Sequence, residues 1–90
     1  MTTKLEAQVP AIVSMFRLQW EPAQDSHVLL YPEGMVKLSQ SAGEIMKRID
    51  GLATVENIIG DLSAAFGGAD VKVDVINFLE QARDNGWITF

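Results

Sequence analysis

Apolar and polar residues alternate strictly in the first patterned stretch of the chain. Phe16, Leu18 and Trp20 share one side of the segment FRLQWE, and polar residues occupy the other side. This period of two predicts a half-buried strand. A polar loop at residues 22–26 separates it from a second predicted strand at residues 27–31.

A proline-glycine turn follows the second strand and leads into a third. In Tyr31-Pro32-Glu33-Gly34, proline presets φ at the second turn position, and we expect the glycine in the left-handed region. Such a turn predicts four facing pairs: Tyr31 with Met35, Leu30 with Val36, Leu29 with Lys37, and Val28 with Leu38. The predicted core face is Val28, Leu30, Val36 and Leu38.

The apolar period changes to that of a helix after residue 40, and three helices are expected. We expect Ser41 to cap the first helix, with Glu44 as its capping-box partner. The other boundary signals are Thr54 as the second N-cap, glycines at 51, 67–68 and 86 as stops, and a third helix over residues 70–85.

The order of three strands and three helices predicts an α+β fold that resembles a winged helix-turn-helix, with a three-stranded antiparallel sheet placed first. A chain of 90 residues fits a single domain. We interpret residues 1–14 as a flexible N-terminal arm and residues 15–90 as the domain. Residues 87–90 are expected to form a short extended tail.

The third helix has an unusually broad apolar arc. A helix that lies on one core needs a stripe of about 100°, whereas this arc spans roughly 160° at 100° per residue. It comprises Val71, Val75, Ile76, Phe78, Leu79 and Ala82, with Lys72 and Arg83 inside it. Either the other helices and the sheet cover the whole arc, or one edge lines a groove.

Composition and charge narrow the functional classes. The net charge is −5, and the seven basic residues are scattered among twelve acidic ones, so no phosphate-binding patch is expected. The absence of cysteine excludes disulfides, thiolate metal sites and thiol nucleophiles from the chain. No signal peptide or membrane-spanning stretch is visible, and a cytoplasmic protein without membrane association is expected.

The inventory of reactive side chains argues against an enzyme. His27 is the only histidine, so no second imidazole or cysteine is present to complete a triad or metal site. We interpret His27 as a packing or surface residue and expect neither cofactor nor metal. A DNA-binding winged helix is the alternative, but Asp74, Glu80 and Asp84 would repel phosphate from the third helix.

The motifs of the chain resemble those of the PqqD family of pyrroloquinoline quinone (PQQ) biosynthesis. The resemblance covers RLQWEPAQDSHVLLYPEGMVKLSQSAGEIMKRIDG at residues 17–51, and later VENIIGDL, DVINFLEQA and WI. Its most specific clusters are QWE, SHV and YPEG in this order. Ser39 stands where asparagine is common in the family, and both are capping residues.

This resemblance implies a peptide chaperone. Such proteins bind the ribosomal precursor peptide PqqA and present it to the radical S-adenosylmethionine (SAM) enzyme PqqE, which crosslinks glutamate and tyrosine side chains. In related recognition domains the peptide adds as a strand beside the third strand, in a groove shared with the third helix. Transferred to this chain, the edge strand is Met35, Val36, Lys37 and Leu38.

The broad arc of the third helix would form the other wall of that groove, through Lys72, Val75, Ile76, Leu79 and Arg83. We expect Ile76 and Leu79 to accept apolar peptide side chains, and Lys72 or Arg83 to meet peptide acids. An exposed edge strand also offers a pairing site to a second copy, and a terminal strand could instead be exchanged between copies, so a homodimer formed in either way is a further expectation.

Overall fold

A computed structural model describes residues 4–90 of the chain. Its elements are α1 (Lys4–Ala7), β1 (Ala11–Ile12), β2 (Arg17–Glu21), a 3₁₀ turn (Pro22–Gln24), β3 (Ser26–Tyr31), β4 (Gly34–Lys37), α2 (Gln40–Met46), α3 (Val55–Ala65), α4 (Lys72–Asp84) and β5 (Ile88–Thr89). The predicted α+β architecture is confirmed: the antiparallel sheet β2-β3-β4 precedes three helices. Within residues 4–90, no helix combines the length and apolar character needed to cross a membrane.

A second, two-stranded sheet joins the two ends of the chain. Ala11 of β1 pairs with Thr89 of β5, and Ile12 pairs with Ile88. The backbone N–H of Val55 at the start of α3 also donates to the carbonyl of Gln8 at 2.9 Å. Most of the predicted N-terminal arm therefore contacts the domain, while its residues 1–3 lie outside the described residues. That the arm is flexible stays a prediction.

The predicted register of the β3–β4 hairpin is wrong by one residue. The structure pairs Tyr31 with Gly34, and consequently Leu29 with Val36. Gly34 has a φ of 159°, which is close to fully extended, so it enters the ladder as the first residue of β4. Only Pro32 and Glu33 are left to form the loop.

This shift exchanges the two faces of β3. Leu29, rather than Val28 and Leu30, lies on the core face with Val36 and Leu38. Val28 is still fully buried, although it lies on the opposite face, where its cross-strand neighbours are Gln19 and Lys37. Period-two patterning could not separate these faces because residues 28–30 are all large and aliphatic.

The start of α2 also differs from the prediction, whereas that of α3 agrees. Ser39, not Ser41, is the N-cap of α2, and its hydroxyl accepts the backbone N–H of Ala42 at 3.1 Å. The chain turns there because the last ladder bond of the hairpin ends at Leu38. Thr54 caps α3 as predicted, in a reciprocal capping box with Asn57.

One hydrophobic core lies between the sheet and the helices. Helices α2, α3 and α4 each bury one face in it, through residues such as Met46, Ile58 and Leu79. The complete cluster is Leu29, Leu38, Ala42, Ile45, Met46, Ile49, Val55, Ile58, Leu62, Val75, Leu79, Ala82 and Ile88.

Helix α2 approaches β3 closely at Gly43. A Cβ atom at this position would lie 2.9 Å from Nδ1 and 3.2 Å from Cβ of His27. His27 is held on its other side by an edge-to-face contact with Trp20, with ring centroids 5.1 Å apart. The histidine therefore acts as a spacer that fixes the height of α2 above the sheet.

We predict that Gly43→Ala destabilises the protein by about 1–3 kcal/mol, because the added methyl group overpacks the contact with His27. The matched control is Gly60→Ala in α3, where a Cβ meets nothing within 4 Å. There the higher helix propensity of alanine should stabilise by up to about 1 kcal/mol. Urea denaturation measures both variants. Equal stabilisation by both substitutions would contradict the close packing at His27.

Candidate functional site

The outer edge of β4 presents unpaired backbone groups. The N–H of Leu38 donates to the carbonyl of His27 at 3.0 Å, so the backbone N–H and C=O groups of Leu38 point inward toward β3. In an antiparallel pair, inward and outward backbone groups alternate along the strand. Val36 therefore also bonds to β3, whereas the N–H and C=O groups of Met35 and Lys37 point away from the sheet. Both residues are exposed.

A cleft of about 470 Å³ lies where β4 ends, between the first turns of α2 and one side of α4. Its floor includes the apolar side chains of Ile45 and Phe78, and its α4 rim is polar and bears one acid. The lining residues are Ser39, Ser41, Ala42, Ile45, Asp74, Asn77, Phe78 and Gln81. We call this the first cleft.

A second cleft of about 420 Å³ adjoins the first and shares Ser41, Ile45 and Asp74 with it. It opens between α2, the end of α3 and the loop that leads into α4. Its remaining lining is mostly apolar: Gln40, Glu44, Leu62, Phe66, Ala69, Val71 and Val75.

Helix α4 divides its surface among three environments. The core side, Val75, Leu79 and Ala82, is fully buried. The cleft side comprises Asp74, Asn77, Phe78 and Gln81. At 100° per residue, the terminal side, Lys72, Ile76 and Arg83, lies on the opposite flank from the cleft side.

The basic residues of the terminal side contact the two ends of the chain. Lys72 Nζ lies 2.8 Å from Glu6 Oε2, and this hydrogen bond raises the pKa of Lys72 above its usual value. The Arg83 guanidinium lies 4.6 Å from the ring centroid of Phe90, a cation–π distance. The structure thus brings Lys72 and Arg83 to the terminal segments and not to the first cleft.

Of the predicted wall, Val75 and Leu79 lie in the core, and only Val75 also borders a cleft. Asn77 and Gln81 were not predicted to line a cleft, because the predicted wall was chosen from the apolar arc of the helix and the basic residues inside it. Phe78 belonged to the predicted arc, and its position across the helix from Ile76 was the available signal. The predicted strand residues Met35 and Lys37 lie at the free edge.

Arg48 connects α2 to α3 beside the second cleft. Its guanidinium donates to Glu44 Oε1 at 2.9 Å, to the Glu44 carbonyl at 2.8 Å, and to Asp61 Oδ2 at 2.7 Å. Lys47 lies 3.2 Å from the same Glu44 carboxylate. The hydrogen bond from Arg48 holds the pKa of Glu44 below its usual value. Glu44 therefore lines the cleft as an ionised carboxylate whose charge is balanced by Arg48 and Lys47.

His27 borders a small polar pocket with Trp20, Asp25 and Ser26. Residues 4–90 contain no group of three or more histidine, aspartate or glutamate side chains arranged to hold a metal ion. The local geometry of His27 is that of packing against Trp20 and Gly43.

Most of the chain matches a known protein family. The family described as "Coenzyme PQQ synthesis protein D (PqqD)" matches residues 26–88. A relative from Stutzerimonas stutzeri named "PqqA binding protein" is 49% identical over 82 residues, which are 90% of this chain and 89% of the relative. A protein of the same name from Rahnella aquatilis is 45% identical and covers 100% of this chain and 96% of its own length.

A solved structure shares the fold. It is the solution structure of the PqqD part of Methylobacterium extorquens PqqCD, described as a stand-alone recognition element for ribosomally made, post-translationally modified peptides. The TM-score is 0.79 at 24% identity, and the match covers 94% of this chain and 93% of that one. At this identity the likeness supports the winged-helix-like fold alone.

We predict that Glu44→Gln lowers stability at neutral pH by at most about 1 kcal/mol, because it removes a partly exposed charge pair with Arg48. The folded-state pKa of Glu44 is lowered from 4.5, so its contribution is complete above that value. It should be lost as the pH falls from there through the lowered pKa. Thermal unfolding at several pH values measures the difference between variant and wild type. A difference that persists unchanged at low pH would contradict this assignment.

Proposed function

The chain belongs to the PqqD family, and from this premise we propose that it binds the precursor peptide PqqA as an added strand along the free edge of β4. The curated relatives named "PqqA binding protein", which are nearly half identical over most of the chain, support the choice of peptide. The role proposed is that of a peptide-binding protein and not of an enzyme.

The observation that carries this proposal is the pair of outward-facing backbone positions at Met35 and Lys37. An exposed edge strand with free N–H and C=O groups is a template for another extended chain. Main-chain hydrogen bonds to such an edge supply affinity that does not depend on sequence, and neighbouring pockets supply selection. The first cleft begins at Ser39, directly beyond β4, so edge and pocket are continuous.

Strand alternation assigns a different environment to each side of the bound peptide. Side chains that point to the core face would meet the first cleft, where Ile45 and Phe78 offer apolar contacts. Side chains that point to the other face would lie beside Met35 and Lys37. We therefore place selection of apolar peptide residues in the first cleft, and the contact with peptide acids at Lys37.

This assignment moves the helical wall of the groove from Lys72, Ile76 and Arg83 to the cleft side of α4. The terminal side has its own contacts with Glu6 and Phe90, which supports the change. Val75 and Leu79 would support the wall from within the core.

The finer steps of the proposal follow from the family. We infer that the bound PqqA is presented to the radical SAM enzyme PqqE in the cytoplasm, with the peptide residues to be crosslinked left free of the groove. The same edge could pair with a second copy in the absence of peptide. A dimer formed through β4 would then dissociate when PqqA binds.

The first test is a proline at the free edge. Lys37→Pro removes an outward N–H and leaves the bonds to β3 in place, so the protein should fold while PqqA affinity falls roughly tenfold or more. Lys37→Ala is the matched control, because it removes the side chain and keeps the N–H. Calorimetric titration measures affinity, and circular dichroism checks the fold. Full affinity in folded Lys37→Pro would refute strand addition at β4.

The second test separates the two flanks of α4. Gln81→Trp fills the first cleft and should weaken PqqA binding about tenfold, the size of a hot-spot contact. Arg83→Gln on the terminal side should leave both the affinity and its salt dependence unchanged. The reverse result, in which only Arg83→Gln weakens binding and reduces its salt dependence, would show that the peptide contacts the terminal side of α4 and not the cleft side.

A further inference from the structure

The second cleft is an apolar cavity that strand addition along β4 leaves unused. Leu62 and Val75 form its base, and Phe66 stands at its rim with 51% of its surface exposed. Phe66 follows the last turn of α3, just before the glycines that end the helix. A large aromatic side chain beside an open apolar cavity is typical of a binding surface.

The second cleft continues the proposed peptide groove. Ser41, Ile45 and Asp74 line both clefts, and around α2 the lining changes from Ala42 in the first cleft to Gln40 and Glu44 in the second. A peptide that pairs with Met35 and Lys37 runs out of strand partners at this end of β4. Peptide residues beyond this end would lie next to Ser41 and Asp74, which the second cleft shares with the first.

The charges around the cavity indicate what lies next to the apolar group. Glu44 is neutralised by Arg48 and Lys47. Asp74 lies at the junction of the two clefts, and within residues 4–90 no side chain pairs with its carboxylate. An apolar cavity with a bare acid at its entrance is complementary to a large apolar residue that neighbours a basic one.

We propose that the second cleft is a separate anchoring site, which takes one large apolar side chain of the bound peptide, next to a basic residue and just outside the strand paired with β4. This inference rests on the proposed function, because the occupant is a further segment of the same peptide. The site adds a requirement for one large apolar side chain in the peptide, which main-chain pairing with β4 alone does not impose.

The experiment is a titration of labelled PqqA against variants of the cleft wall. Phe66→Ala should weaken binding roughly tenfold. Leu52→Ala is the matched control, because Leu52 is also an exposed large apolar residue, at 82%, but lies in the loop between α2 and α3, outside both clefts. Its affinity should equal that of the wild type.

An alanine scan of PqqA then identifies the occupant. One apolar position should lose about tenfold affinity for the wild type and little for Phe66→Ala, because the contact is already absent. The neighbouring basic position is tested with Asp74→Asn, which should weaken binding and reduce its salt dependence. Asp84→Asn, at the far end of α4, should change neither.

The outcomes separate this inference from the proposal on which it rests. If the wild type binds PqqA and Lys37→Pro does not, but Phe66→Ala binds like Leu52→Ala, the anchoring site is refuted and strand addition stands. If Phe66→Ala alters self-association and not PqqA affinity, the cleft belongs to a second copy, and the inference is again refuted. If the wild type fails to bind PqqA, both the anchoring site and the proposed function are refuted.

Discussion

The pairing of β3 with β4 determines which backbone groups this domain leaves free at the edge of its sheet. The bond from the Leu38 N–H to the His27 carbonyl, together with the Tyr31–Gly34 pair, fixes the register of the hairpin. That register turns the backbone groups of Met35 and Lys37 outward and directs the side chains of Val36 and Leu38 to the core. A shift by one residue would turn these groups toward β3 and expose others, so the identity of the free edge groups depends on hairpin geometry more than on side-chain chemistry.

The helices extend this edge into a groove. Helix α2 sits at a height set by the contact between Gly43 and His27, and Arg48 fixes it to α3. Helix α4 then lies against the core through Val75, Leu79 and Ala82 and leaves Phe78 at its boundary. The clefts are the spaces that remain where these helices diverge.

The fold class and the order of the three sheet strands and three following helices were predictable from the sequence because each rests on a local signal. The free edge at β4 was predicted from the resemblance to the PqqD family. Alternation marked β2, Thr54 marked the start of α3, and the proline-glycine turn marked the hairpin. The register did not follow, because Gly34 suits either a left-handed turn position or an extended strand position, and residues 28–30 are aliphatic on both faces. Ser39 and Ser41 were equally suitable caps, and the choice depended on where the ladder ended.

The orientation of the two flanks of α4 could not be predicted from the sequence, for a physical reason. A broad apolar arc does not reveal which of its two edges faces the sheet, and this depends on tertiary contacts. The contacts of Lys72 with Glu6 and of Arg83 with Phe90 occupy one edge. Both partners lie in terminal segments whose short elements, α1 and β5, have little pattern of their own. The terminal segments thus cover one flank of α4 and leave its cleft side open.

Amide hydrogen exchange of β4, measured by NMR with and without PqqA, shows whether the peptide pairs with this edge. If PqqA adds as a strand, the amides of Met35 and Lys37 should exchange quickly in the free protein and become protected at saturating peptide. Those of Val36 and Leu38 should be protected in both states, because they already bond to β3. Unchanged exchange of Met35 and Lys37 in the saturated complex would contradict strand addition at this edge.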